Sequence, residues 1–159
     1  MKLSFFTTKG LVKKVNEDVV GHKNTIFCLC DGHWGTQAAK LACKVLLTNF
    51  PDSRASALAS LNSIQKTLFS LQVTNQPPET SVLAIKLDPQ NHLLTYLSYG
   101  DCRLLISRDK QIIFSLKTKP TWLGALAHQQ LRGRLSIKDA LIFDTFQLTT
   151  RDQVFMFTD

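Results

Sequence analysis

Apolar residues along this chain recur first with a helical period and then with a period of two. Leu58, Leu61, Ile64, Leu68 and Leu71 fall on one helical face, after a break at Pro51-Asp52-Ser53 that also offers a cap. A helix is read from Thr36 to Asn49 as well. Ahead of it, Leu3 to Thr8 and Thr25 to Cys30 read as strands, the second so continuously apolar that it is expected to be central. Beyond the polar stretch Gln72 to Glu79, Leu83, Ile85 and Leu87 share one face of a strand, Asp88-Pro89-Gln90-Asn91 makes a turn, and His92 to Tyr99 returns as a hairpin. Arg103 to Ser107 and Gln111 to Leu116, joined by Arg108-Asp109-Lys110, are expected to extend that meander. A third helical stretch covers Leu123 to Leu131, and strands at Thr145 to Leu148 and Val154 to Thr158 close the chain. This order predicts an α+β domain spanning 1–159, with antiparallel sheet covered by helices.

Composition narrows the class. With 44% apolar and 19% charged residues the chain has enough apolar material for a core, which excludes a disordered tail or a coiled coil. It contains no apolar run of the ~20 residues needed to cross a bilayer and no secretory signal, so no membrane partner and a cytoplasmic location are expected. Cys28, Cys30, Cys43 and Cys102 lack zinc-type spacing and read as small buried thiols. Nineteen Lys and Arg against twelve Asp and Glu give a net charge of +7, which favours anionic partners. The basic residues are scattered and not interleaved with aromatics, so nucleic acid is not among the expected partners.

Candidate chemistry lies in acidic residues at the ends of apolar strands or just before one: Glu17 and Asp18 before Val19-Val20, Asp31 after Ile26 to Cys30, and Asp159 after Val154 to Phe157. A carboxylate half out of water needs a cation or several donors, and gathered oxygen ligands suit magnesium or manganese. Gly32 permits a tight turn that aims its carbonyl at the same ion. Taken alone, Asp31-Gly32 reads as a hairpin turn more often than as a metal ligand.

The segments Gly10 to Asp18, Asp31-Gly32-His33-Trp34-Gly35, Ser98 to Arg103 and Phe157-Thr158-Asp159 occur in the order and spacing of the PPM-type phosphatases. The chain resembles these metal-dependent type 2C Ser/Thr protein phosphatases, of the bacterial kind, over nearly its whole length. The resemblance implies a sandwich of two antiparallel sheets flanked by helices, with two Mn2+ or Mg2+ ions at one end. It also implies that Asp31 bridges both ions, that the Gly32 carbonyl binds one and Asp159 the other, and that Asp18 and Glu17 hold metal or its waters. His33 takes the position of a general acid, and Lys13 the position of a phosphate-clamping arginine. Phosphorylated proteins are the implied substrates, hydrolysed at phosphoserine and phosphothreonine by a metal-activated water.

Several segments depart from the family pattern. Lys13 replaces a bidentate fork with a point charge. Glu79-Thr80-Ser81 replaces a Gly-Thr-Thr-like start of a strand, and Cys102 stands where Ser is usual; both read as structural changes. Lys119-Pro120-Thr121-Trp122 lacks the Asp of an additional metal site. The family continues past its Asp-Gly with further strands, helices and a last metal-binding Asp, so the fold is expected to be incomplete at the C-terminus. The alternative function is therefore an inactive pseudophosphatase or truncated fragment acting as a phosphoprotein-binding or regulatory module.

Overall fold

A computed structural model of the protein describes residues 15–70, 78–118, 120–124 and 136–158. The strand expected at Leu3 to Thr8, Lys13, Leu71, most of the helix expected over Leu123 to Leu131, and Asp159 lie outside the described residues. In chain order the elements are β1 (Val19–Lys23), β2 (Ile26–His33), α1 (Gln37–Thr48), α2 (Arg54–Ser70), β3 (Glu79–Asp88), β4 (Leu93–Tyr99), β5 (Arg103–Arg108), β6 (Gln111–Ser115), α3 (Ile137–Ala140), β7 (Ile142–Gln147) and β8 (Asp152–Phe157). They form a five-stranded sheet in the order β1-β2-β3-β4-β7 and a three-stranded sheet in the order β6-β5-β8, antiparallel throughout. No helix among the described residues is long and apolar enough to cross a membrane.

Side-chain parity on the strands divides the core into two layers. On β2, Cys28 and Cys30 face α1 and α2, where they pack with Ala38, Ala42, Leu46, Leu61, Ile64 and Leu68. The alternate residues Phe27 and Leu29 join Leu83, Ile85, Leu94, Leu104 and Ile106 between the two sheets. Being buried on both faces, β2 lacks polar alternation, which is why its sequence reads as continuously apolar. All four cysteines are buried free thiols. The α2 start is capped as expected, Ser53 Oγ accepting the Ser56 N–H at 3.2 Å.

Three expectations are corrected. Residues 103–116 do not extend the β3–β4 meander: β4 pairs with β7, and β5 and β6 belong to the second sheet. The chain leaves the first sheet at Gly100, whose φ of +116° is open to glycine, and crosses so that Leu104 and Ile106 become fully buried against Leu83 and Ile85. Asp31 does not follow its strand, because β2 continues through Gly32 to His33, paired with Glu79 to Ser81. That pairing removes the hairpin-turn reading of Asp31-Gly32. Leu123 is not helical; it exchanges both backbone hydrogen bonds with Thr80, at 3.0 and 2.8 Å.

The second sheet is clamped by a fork. Arg108 Nε and Nη2 donate to Asp152 Oδ1 and Oδ2 at 2.7 and 3.0 Å across the β5–β8 register, and the Thr149 N–H adds a bond of 2.7 Å. The Arg108 guanidinium holds the Asp152 carboxyl down at about 2. A carboxyl whose folded value is depressed stabilises the fold above its unfolded value near 4 and loses that contribution as pH falls toward 2. Arg108→Ala is expected to lower stability at neutral pH, by a difference that shrinks as pH falls toward 2. A carboxyl titration by NMR should show Asp152 moving up toward its ordinary range, and an unmoved titration would mean that the fork does not set it.

Candidate metal-binding and active site

The parity that sends Phe27 and Leu29 between the sheets sends Asp31 and His33 there too, at the end where the apolar filling stops. Opposite them on β3, Ser81 and Glu79 have the same parity as Leu83 and Ile85. Asp31 is only 5% exposed, and its carbonyl accepts the Thr80 hydroxyl at 2.9 Å. A carboxylate at that depth is costly unless charge or donors meet it. His33 Nε2 stands 3.5 Å from Asp31 Oδ2, an ion-pair distance when the imidazole is protonated, and its ring meets Trp122 edge-on with centroids 5.7 Å apart.

Antiparallel pairing of β1 with β2 sets Val19 opposite Cys30, so the residues just before β1 lie beside the end of β2. The contact is close: a Cβ on Gly32 would sit 2.3 Å from the Glu17 carbonyl oxygen, so only glycine fits there. After β2 the chain reverses through Trp34 and Gly35, both at positive φ, and the Gly35 N–H donates to Glu17 Oε1 at 2.6 Å. Asp18 Oδ2 accepts the Thr158 hydroxyl at 3.1 Å, which brings the residue before Asp159 to the same end of the sandwich.

Thus Glu17, Asp18, Asp31, Gly32 and His33 share one end of the sandwich, while Lys13 and Asp159 lie outside the described residues. Among the described residues, no group of three His, Cys, Asp or Glu side chains is disposed to hold a metal ion. The donor chemistry nonetheless fits a hard divalent cation, since the carboxylates of Asp31, Asp18 and Glu17 and the Gly32 carbonyl offer oxygen only. Cys102 does not compete as a soft ligand or nucleophile. Burial, with the Asp31 and Asp101 charges adding to it, pushes its thiol up to about 12, so it stays protonated. Its sulfur lies 3.0 Å from Ser81 Oγ, so two of the departures from the family pattern are one packed pair.

Three residues of this end were not singled out as site residues from the sequence. Glu79 is 4% exposed and opposite His33, a position that strand parity would have revealed. Trp122 comes from the divergent 119–122 segment, and nothing in the local pattern shows that it reaches His33. Trp34 follows His33 directly and is 55% exposed.

Solved structures share this fold. A variant of a bacterial serine phosphatase superimposes with a TM-score of 0.69 at 18% identity, covering 92% of this chain and 71% of its own. The catalytic domain of the serine/threonine phosphatase PstP, crystallised with two manganese ions, gives 0.63 at 18% identity, with 91% of this chain and 71% of its own covered. The PPM Ser-Thr phosphatase MsPP from Mycobacterium smegmatis gives 0.63 at 19% identity, with coverages of 91% and 72%. No family model and no curated protein matches the sequence. The chain has the α+β fold of the PPM-type Ser/Thr phosphatases.

Proposed function

We propose that this chain is a metal-dependent hydrolase of phosphoserine and phosphothreonine on cytosolic proteins. The observation that carries the reading is Asp31: a carboxylate 5% exposed at the end of the inter-sheet layer, 3.5 Å from His33, with Glu17, Asp18 and Gly32 at the same end of the sandwich. Asp31, the Gly32 carbonyl, Asp18, Glu17 and Asp159 would hold two Mn2+ or Mg2+ ions. When bound, such ions neutralise phosphoryl charge and lower the pKa of an attacking water.

The remaining chemistry belongs to the chain itself. His33 holds a proton at Nε2 and delivers it to the departing serine or threonine oxygen. Asp31 Oδ2 stands 3.5 Å from that nitrogen, and the Trp122 ring packs at right angles to the imidazole with centroids 5.7 Å apart. Glu17 keeps the His33-Trp34-Gly35 loop in place through the Gly35 N–H. Lys13 supplies a point charge to the phosphate, and the net charge of +7 draws anionic substrates toward the surface.

Manganese-dependent turnover of p-nitrophenyl phosphate and of a phosphopeptide is expected, with loss of both in chelator. Equal rates with and without chelator would refute the metal-dependent reading. Phosphopeptide binding without turnover at saturating manganese would instead select the second reading, a phosphoprotein-binding module.

A further inference from the structure

The residue after His33 combines two costly features. Trp34 has a φ of +62°, in the left-handed region where a side chain is strained. Its side chain is 55% exposed, so burial of the indole does not offset that strain. The next residue, Gly35, is also at positive φ, and among the described residues a Cβ built there would meet nothing within 4 Å. On its inner side the same loop is fastened to Glu17 through the Gly35 N–H at 2.6 Å. A strained, outward-facing indole on a loop fixed beside Asp31 and His33 has a recognition role as its physical rationale.

We infer that Trp34 is a specificity-determining residue: its indole receives an apolar or aromatic side chain of the phosphoprotein next to the phosphorylated serine or threonine. This rests on the phosphatase reading above. The apolar preference follows from the indole: an exposed aromatic ring offers large apolar area at little entropic cost.

The test compares the full chain with Trp34→Gly and Trp34→Phe in manganese. Two phosphopeptides, differing only in leucine or alanine beside the phosphoserine, are assayed together with p-nitrophenyl phosphate. Trp34→Gly is expected to raise KM for the leucine peptide about five- to tenfold. Values of kcat, the alanine peptide and p-nitrophenyl phosphate should stay within about twofold. Trp34→Phe should restore most of the preference. Because glycine relieves the φ strain, the melting temperature of Trp34→Gly should not fall. Equal losses on all three substrates, or a leucine preference unchanged in Trp34→Gly, would overturn the assignment. Calorimetric binding of the same two peptides is read in parallel. If no substrate turns over, the hydrolase reading fails, and a leucine preference in binding that disappears in Trp34→Gly still supports the role of Trp34, whereas its persistence refutes it.

Discussion

Asp31→Asn is expected to lower kcat/KM on a phosphopeptide by about a thousandfold or more while leaving the chain folded. Asparagine has nearly the same shape, and the backbone bond from the Thr80 hydroxyl to the residue 31 carbonyl is untouched. What disappears is a negative charge 5% exposed at the end of the inter-sheet layer. Without bound metal, removing a buried charge lightens the desolvation cost, so the melting temperature should hold or rise. Metal then separates the two proteins. At one hundred times its dissociation constant, an ion that binds only the folded chain adds about 2.7 kcal/mol, or roughly 5–10 °C for a chain of this size. Wild type should show that shift in manganese and Asp31→Asn should not. Normal turnover by Asp31→Asn, or an undiminished manganese shift, would remove Asp31 from the metal site.

Local patterns reach part of this architecture. The hairpin at Asp88 to Asn91 was readable because period-two strands flank a residue suited to the turn, and Asp88 Oδ1 does accept the N–H groups of Gln90 and Asn91 at 3.0 and 3.1 Å. The helix over Gln37–Thr48 and the central position of β2 were readable for similar reasons. The partner of β4 was not. Whether β5 or β7 lies beside it depends on how two apolar sheet faces cover each other, a property of the stacked layers rather than of any one segment.

The candidate site divides the same way. Motif spacing singled out Glu17, Asp18, Asp31, Gly32 and His33, and the pairing of β1 with β2 puts them at one end. The contacts that fix them join residues far apart in sequence: Glu17 with Gly35 across 18 positions and Asp18 with Thr158 across 140. Periodicity carries no information at that range. Gln65 shows a milder form of the problem. A glutamine on the buried face of α2 looks like a flaw in the pattern until its Oε1 is seen accepting the Gly124 N–H at 2.8 Å, beside the Thr80–Leu123 bridge.

Gly100→Ala should have the largest effect on stability, because two costs fall on one atom. At φ +116° any Cβ is strained, and here it would also lie 2.2 Å from Ser81 Cβ, 2.6 Å from the Thr121 carbonyl oxygen and 2.9 Å from Ser81 Cα. None of these is the end of a flexible side chain. Ser81 is fully buried in β3 opposite Asp31, and Thr121 precedes the Trp122 that meets His33. Relief therefore requires moving β3 or the 120–124 segment, and a loss of about 3–4 kcal/mol is expected, or roughly 6–16 °C in melting temperature. Gly35→Ala separates the two costs. That residue has nearly the same φ, +113°, with no described residue within 4 Å of an added Cβ, so it should lose only the conformational part, about 1 kcal/mol. The two variants are to be compared by thermal and urea unfolding. Equal losses would mean that backbone strain alone governs both positions and that the crossing at Gly100 has slack. A much larger loss at Gly100 would make the contact of Ser81 with the sheet crossing the tightest constraint on the Asp31 end of the sandwich.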